Sequence, residues 1–85
     1  MIKAWSELVW EDYLWWQAHD RKMLKRINQL IRDIERDPFS GIGKPEPLRG
    51  NLSGMWSRRI DQSNRLVYEV SGDTLMLHSA KDRYD

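Results

Sequence analysis

Residues 55–70 read MWSRRIDQSNRLVYEV, and the fold is organised around this segment. Aromatic and β-branched residues, which favour β-strands, fill both of its flanks. Between the flanks, Asp61, Ser63 and Asn64 are residue types that favour turns, because their short polar side chains bond to nearby backbone groups. The pattern predicts two strands joined by a polar turn.

The predicted hairpin places two arginines side by side. Side chains alternate between the two faces of a strand. If Ile60 and Leu66 face the core, the residue before each of them faces the opposite side. Those residues are Arg59 and Arg65, whose guanidinium groups would form a rigid, permanently charged site for phosphate. An ordinary solvated sheet face remains the alternative.

Two helical patterns precede the hairpin. The first begins at Ser6, a residue type that caps helix N-termini, and continues to about His19. The second begins after Asp20 and ends at Asp37 and Pro38, because proline disfavours helical geometry in the residue before it. The apolar residues at helical spacing are Val9, Tyr13 and Trp16 with Leu14 beside them, then Met23, Ile27, Leu30 and Ile34, widened by Leu24 and Ile31. The short connection predicts a helical hairpin.

Weaker patterns complete the chain. Residues 39–51 are punctuated by glycine and proline and predict a loop. Residues 74–80 are apolar at most positions and predict an interior strand, whereas residues 2–5 are a weaker candidate for an edge strand. We predict a single α+β domain over residues 1–85, with an N-terminal helical hairpin packed on a small twisted antiparallel β-sheet. The predicted sheet comprises residues 2–5, 55–61, 64–70 and 74–80.

Composition agrees with a small folded domain and excludes several classes of protein. Hydrophobic residues make up 40% of the 85 residues and charged residues 32%, which is typical of a globular chain. The absence of cysteine excludes a disulfide framework, and the two histidines have no metal-site spacing, so we predict neither a metal nor a cofactor. No apolar run is long enough for a signal peptide or a membrane span, which favours a cytoplasmic protein without membrane contact.

The net charge of +1 hides an uneven distribution. Residues 1–20 contain one basic residue against four acidic ones, whereas residues 21–36 contain six against two and residues 44–65 five against two. The basic charge is therefore concentrated in two segments, and Arg58 and Arg59 contribute to the second. This placement indicates a polyanionic partner, although a solvated basic surface explains it as well.

Glu46 lies between two prolines in the sequence KPEPL, residues 44–48. Each proline fixes its own backbone φ angle, so the carboxylate sits on a stiff loop. Stiffness suits a catalytic base, which has to be aimed before the reaction, but a surface glutamate in an extended linker fits the spacing equally well. His78 is interpreted as a packed, hydrogen-bonded histidine rather than a catalyst.

Four motifs together resemble one known family: GKPEPL at residues 43–48, NLSG at 51–54, WSRRI at 56–60 and RLVY at 65–68. They are similar to the YoeB/Txe toxins, which belong to the RelE superfamily of bacterial toxin–antitoxin systems. The likeness extends over nearly the whole chain. It implies an α+β fold like that of the small microbial ribonucleases, and a ribosome-dependent endoribonuclease that cuts mRNA without a metal.

The resemblance also implies partners and catalytic roles. Family members are inhibited by a cognate antitoxin of the YefM/Axe type, tend to form homodimers, and act on mRNA bound to the ribosome. Glu46 matches the base that takes the proton from the ribose 2′-OH, Arg65 the arginine that stabilises the phosphate, and Tyr84 the C-terminal tyrosine. The residues that would add positive potential for RNA binding are Lys44, Arg49 and Arg59.

Position 83 departs from the family pattern. The family has a histidine just before the terminal tyrosine, where this chain has Arg83. Arginine stays protonated near neutral pH, so it binds phosphate but cannot donate a proton to the departing 5′-oxygen. We therefore expect impaired cleavage. The alternative is a non-catalytic toxin or binding module that occupies the ribosome or another target without cutting RNA.

Overall fold

The computed structural model describes residues 1–81. Within them, two α-helices and five β-strands follow in the order β1 Ile2–Trp5, α1 Glu7–His19, α2 Arg21–Arg36, β2 Glu46–Pro47, β3 Trp56–Arg59, β4 Arg65–Ser71 and β5 Thr74–Ser79. A short 3-10 turn at Gly50–Leu52 lies between β2 and β3. The predicted α+β architecture, a helical hairpin packed on a small sheet, is confirmed. In this part of the chain neither helix has the length and apolar character needed to cross a membrane.

Single polar residues begin the first helix and join it to the second. The Ser6 side chain accepts a hydrogen bond from the backbone N–H of Val9 at 3.1 Å, which satisfies an otherwise unpaired amide at the start of α1. Asp20 alone separates α1 from α2. Its carboxylate accepts hydrogen bonds from the backbone N–H groups of Lys22 and Met23 at 3.1 and 3.3 Å. A one-residue connection forces the two helices into the hairpin that the sequence indicates.

The strands form one sheet in the order β1-β5-β4-β3-β2. Strand β4 pairs antiparallel with both β3 and β5, as predicted, and β2 pairs antiparallel with β3, whereas β1 pairs parallel with β5. The sheet is therefore mixed rather than purely antiparallel. A tight turn dictates antiparallel pairing only between the strands that it joins, and β1 is separated from β5 by most of the chain.

Strand β2 lies inside the segment predicted to be a loop. Its two residues, Glu46 and Pro47, pair with Ser57 and Trp56 of β3. Proline fits at this place because β2 is an edge strand, whose outward backbone groups need no partner in the sheet. The glycines and prolines that indicate a loop therefore conceal a two-residue strand, and that strand carries Glu46.

The core lies between the two helices and one face of the sheet. Helix α2 buries the C-terminal part of the predicted apolar stripe and leaves Met23 and Leu24 partly buried. Helix α1 buries Val9 and Trp16 and leaves Leu14 exposed. Within residues 1–81, the hydrophobic residues that are completely inaccessible are Ile27, Leu30, Ile34, Leu66, Tyr68, Leu75, Leu77 and Ala80. Because the helices occupy one face of the sheet, the opposite face of β2, β3 and β4 carries the polar side chains described next.

Candidate active site

Glu46 and Arg65 meet on the open face of the sheet although they lie 19 positions apart in the sequence. Strand pairing places Glu46 opposite Ser57, and Arg59 opposite Arg65. Paired residues share a face of the sheet, and so do residues two apart on β3, so all four side chains lie on one face. Nη1 of Arg65 donates a hydrogen bond to Oε1 of Glu46 at 2.8 Å. The structure thus brings two predicted site residues together as an ion pair.

Solvent reaches this ion pair. The Glu46 side chain is 54% exposed and the Arg65 side chain 21%. Water weakens the attraction between exposed charges, so such a pair stabilises the fold only slightly. A phosphate group, which accepts two parallel hydrogen bonds from a guanidinium, can therefore compete with the carboxylate for Arg65.

Among the other predicted cations, Arg59 lies beside the pair. Arg59, opposite Arg65 on β3, is exposed. Its backbone N–H donates to the carbonyl of Gly43 at 2.6 Å, which holds the loop that carries Lys44 against the end of β3. Arg49 is exposed at the start of the 3-10 turn, and its side chain makes no hydrogen bond or ion pair within residues 1–81. No hydrogen bond or ion pair within residues 1–81 therefore links the Arg49 side chain to the Glu46–Arg65 pair.

A buried hydroxyl lies next to the pair. Ser57 is paired with Glu46 on one side and with Val67 on the other, and Val67 is paired in turn with Ser79 of β5. Ser57 is fully buried, and its Oγ has no hydrogen-bond partner among the residues that the structure describes. Buried hydroxyl groups without a partner are uncommon in folded proteins. No sequence pattern singles out this serine, because its burial depends on the strands that pack around it.

Helix α1 holds the end of β5. Asp12 is buried and accepts a hydrogen bond from the backbone N–H of Ala80 at 2.9 Å, and Trp16 Nε1 donates to the Ala80 carbonyl at 2.7 Å. The apolar pattern of α1 predicts core packing and assigns nothing to Asp12, whose partner is 68 positions away. The other two predicted site residues, Arg83 and Tyr84, follow this point in the sequence and lie outside the described residues.

Arg58 is buried, although its charge counts toward the basic segment 44–65. The alternation of β3 places Arg58 on the same side as Ile60, so its charge does not add to the exposed basic surface. All five N–H groups of the Arg58 guanidinium have acceptors: the Tyr68 hydroxyl, the Asp33 carboxylate and the carbonyls of Asp37, Ser40 and Ile42. Arg58 thus joins the segment after α2 to the sheet, and this segment leads directly into Lys44 and Glu46.

The groups around Arg58 titrate outside their ordinary ranges. The backbone N–H of Ile42 and the Arg58 guanidinium hold the pKa of the Asp33 carboxyl at about 2. Burial raises the pKa of the Tyr68 hydroxyl above its ordinary value. Near neutral pH, Asp33 is therefore ionised and Tyr68 is neutral, so Arg58 keeps one counter-charge and one hydroxyl acceptor.

His78 has a partner outside the site. Its Nε2 lies 3.3 Å from Oε1 of Glu69, in agreement with the interpretation of a hydrogen-bonded histidine. Within residues 1–81, no group of three histidine, aspartate or glutamate side chains is arranged to hold a metal ion. The chemistry of the described site therefore lies in a carboxylate, a guanidinium and the cations around them.

Comparison with known proteins identifies the family. A family model described as a YoeB-like toxin of bacterial type II toxin–antitoxin systems matches residues 5–84. This chain belongs to the YoeB toxin family. The match includes every residue predicted for the site, from Lys44 to Tyr84.

Individual relatives agree with that membership. The toxin YoeB of Synechocystis sp. is 58% identical over 81 residues, which cover 95% of this chain and 94% of the relative. A YoeB/ParE toxin from Agrobacterium tumefaciens has a similar structure, with a TM-score of 0.95 and 45% identity over 99% of this chain and 100% of that chain. YoeB from Staphylococcus aureus is also similar, both as a dimer and in a heterotetrameric complex with YefM. Those chains give TM-scores of 0.92 and 0.91 at 42% identity, over 99% of this chain and 98% of theirs.

Membership of the YoeB family establishes the biological class of this protein. The YoeB-family chain described here is a toxin of a bacterial type II toxin–antitoxin system. YoeB toxins are generally endoribonucleases that cleave mRNA.

Proposed function

We propose that this toxin is a ribosome-dependent endoribonuclease that cuts mRNA through attack by a ribose 2′-OH. The Glu46–Arg65 pair, with its 2.8 Å contact on the open face of the sheet, is the observation that carries the proposal. A carboxylate and a guanidinium within reach of one phosphate supply a base for the nucleophile and a cation for the charge on phosphorus. Membership of the YoeB family supports the same reaction.

The proposed reaction is an intramolecular phosphoryl transfer. Glu46 takes the proton of the 2′-OH while the 2′-oxygen bonds to phosphorus and the bond between phosphorus and the 5′-oxygen breaks. The products are a 2′,3′-cyclic phosphate and a 5′-hydroxyl end. Arg65 stabilises the negative charge that grows on the phosphoryl oxygens. When Arg65 turns to the phosphate, the Glu46 carboxylate is released to act as the base.

The remaining predicted residues have assisting roles in this proposal. The departing 5′-oxygen needs a proton, which Arg83 cannot supply near neutral pH, so in this proposal the proton comes from water or from ribosomal RNA. We therefore expect slow cleavage, with Arg83 adding to phosphate binding and Tyr84 orienting the RNA. The cations proposed to bind the RNA backbone are Lys44, Arg49 and Arg59.

The proposed protein partners are a YefM-type antitoxin and a second copy of the chain, and the proposed site of action is the ribosome in the cytoplasm. The dimer and the YefM complex of the similar S. aureus toxin support both protein partners. Helix α1 also exposes large apolar side chains to water, each between 41% and 48% accessible: Leu8, Trp10, Leu14 and Trp15. Exposed apolar surface marks contact sites, so we propose that α1 takes part in these contacts.

Replacing Glu46 with glutamine tests the proposed chemistry. Glutamine keeps the size of the side chain but cannot accept the proton, so cleavage of ribosome-bound mRNA should fall by about 10²–10⁴-fold. The rate is measured under single-turnover conditions, in the unchanged chain and in an Arg83→His background. The control is Asp73→Asn, which removes one carboxylate from the exposed β4–β5 turn and should leave the rate unchanged. A Glu46→Gln protein that cuts as fast as its parent would contradict the proposal.

A non-catalytic toxin is the second candidate, and Arg83 is the observation that favours it. Such a protein would occupy the ribosome or another target and arrest it without producing new RNA ends. Mapping mRNA ends separates the two functions. A chain that binds ribosomes but yields no new ends, both unchanged and as Arg83→His, would favour the non-catalytic role.

A further inference from the structure

A pocket of about 290 Å³ includes Arg59, the strand partner of Arg65, in its lining. Its walls come from α2, from the loop before β2, and from the end of β3 with the turn that follows. The lining residues are Arg26, Gly43, Lys44, Arg59, Ile60, Asp61 and Gln62. We call this the basic pocket, because its cations outnumber its carboxylates.

Three cations and one carboxylate line the basic pocket. Within residues 1–81, the side chains of Arg26, Lys44 and Arg59 make no hydrogen bond or ion pair. Asp61 instead directs Oδ1 into its own turn, where it accepts hydrogen bonds from the backbone N–H groups of residues 63–64 at 2.8 Å each. Burial acts to raise the pKa of Asp61, but these hydrogen bonds outweigh it and lower the pKa. Among the described residues, the pocket thus has three positive charges without an ion-pair partner against one negative charge that already has hydrogen-bond donors.

The backbone at Lys44 is held in an unfavourable conformation. Its φ angle is +52°, in the left-handed region that residues with side chains rarely adopt. Gly43 before it has a φ of +80° and lies so close to β3 that an added Cβ would be 3.1 Å from the Arg59 carbonyl oxygen and 2.8 Å from Leu30 Cδ2. Such strain persists only where the surroundings enforce it, and it concentrates at functional sites. Here it places Lys44 on the wall of the basic pocket.

Arg59 connects the basic pocket to the Glu46–Arg65 pair. Arg59 and Arg65 are direct partners across β3 and β4, so their Cβ atoms are about 5 Å apart. A single RNA strand carries one phosphate for each nucleotide. A strand whose reacting phosphate lies on Arg65 therefore brings a neighbouring phosphate toward Arg59 and the pocket.

We propose that the basic pocket binds an RNA phosphodiester group adjacent to the one that is cut, and that Arg26 is one of its ligands. This inference rests on the proposed function. The two arginines and the lysine among the lining residues offer guanidinium forks and an ammonium group, which suit the several oxygens of a phosphodiester. Sequence alone interprets the basic surface of α2 as solvated, or as a contact for nucleic acid or an acidic protein segment. The phosphodiester belongs either to the mRNA or to ribosomal RNA, and the chemistry of recognition is the same.

The test measures RNA binding without any cleavage. The probes are a single-stranded RNA oligonucleotide with 2′-O-methyl groups, which cannot be cut, and ribosomes without mRNA. At low salt, Arg26→Gln should weaken binding to at least one probe by about fivefold to tenfold. For the oligonucleotide, the slope of log affinity against log salt should fall by about 0.7, the value for one phosphate contact on a single strand. Arg26→Lys keeps the charge and should restore most of the affinity.

Two further variants serve as a control and as a second test of the pocket. Arg32→Gln removes the same charge from an exposed position on a different side of α2 and should change neither affinity nor slope. Lys44→Gln alters the exposed wall of the basic pocket and should reproduce the Arg26→Gln effect. It therefore serves as the test if Arg26→Gln does not fold.

The outcomes separate the sources of the phosphate. Weaker binding to the oligonucleotide identifies the mRNA, and weaker binding to ribosomes alone identifies ribosomal RNA. A folded Arg26→Gln protein that binds both probes unchanged would overturn the proposal, as would a loss confined to antitoxin binding. Because the probes need no chemistry, a failure of the Glu46→Gln cleavage test is distinguishable from a failure here.

Discussion

Replacing Arg83 with histidine is expected to raise the rate of mRNA cleavage by about 10²–10⁴-fold, the usual contribution of a general acid. A protonated imidazole can hand its proton to the departing 5′-oxygen, whereas the arginine guanidinium keeps its proton at any pH at which the protein is folded. A protonated histidine keeps the positive charge at this position, so affinity for the ribosome should change little below about pH 6.5. The measurement is the single-turnover rate of mRNA cleavage on programmed ribosomes.

The pH dependence of the gain identifies its cause. A catalytic histidine with an ordinary pKa near 6.5 donates a proton only while it is protonated, so the gained rate should decline as the pH rises above about 6.5. Arg83→Gln is the matched control, because it removes the arginine without supplying an acid and should not accelerate cleavage. Equal rates for the unchanged chain and Arg83→His would show that the departing oxygen does not depend on position 83. His78→Ala would then distinguish His78 from a ribosomal group.

Replacing Arg58 with methionine is expected to lower the free energy of unfolding by about 3–5 kcal/mol, because several acceptors lose their donor at about 1–3 kcal/mol each. The substitution leaves the Asp33 carboxylate and three carbonyl oxygens without the donors that Arg58 provides. Each loss of a hydrogen-bond partner by a buried polar group is unfavourable. Urea unfolding of the two proteins at neutral pH measures the difference.

Arg59→Met is the natural control, because the neighbouring arginine is exposed and makes no ion pair within residues 1–81. Its effect on unfolding should remain within about 0.5 kcal/mol. If Arg58→Met were as stable as Arg59→Met, the buried network would not stabilise the fold.

Low pH should reduce the contribution that the hydrogen bonds of Arg58 make to the stability of the folded protein. The folded pKa of Asp33 is about 2, below the ordinary value of 3.8, so its ionised form is favoured in the folded protein. The resulting stability is fully present above the ordinary pKa and is lost as the pH falls from about 4 toward 2. The stability difference between the unchanged chain and Arg58→Met should therefore narrow over this interval.

Local patterns in the sequence predict the helical hairpin and the central strands because their determinants are local. Asp20 caps α2 by bonding to amides two and three residues later, and the alternation along residues 55–70 correctly places Arg59 and Arg65 on one face. The same alternation puts Arg58 on the side of Ile60, facing the core. Composition nevertheless does not reveal that Arg58 is buried. The carboxylate that neutralises Arg58 belongs to Asp33, which lies 25 positions away on α2.

Other features of the site depend on tertiary contacts. Glu46 is recognisable through the family motif, whereas its spacing between prolines fits a linker equally well and conceals the strand that places it beside Arg65. Two observations arise only when distant segments pack. Ser57 Oγ has no hydrogen-bond partner within residues 1–81, and the Ala80 N–H donates to Asp12. Patterns in a single sequence do not predict such pairings, because the local sequence around one residue does not identify its distant partner.

The most direct measurement of the proposed chemistry uses an mRNA that carries one 2′-deoxynucleotide at a position that the toxin otherwise cuts. Ribosomes programmed with this mRNA are incubated with the Arg83→His protein, and the new RNA ends are mapped and their chemistry determined. Attack by the 2′-OH predicts that cutting disappears at the deoxynucleotide, while other positions yield 2′,3′-cyclic phosphate and 5′-hydroxyl ends. Continued cutting at the deoxynucleotide, or ends with a 5′-phosphate, would contradict a reaction in which Glu46 activates the ribose.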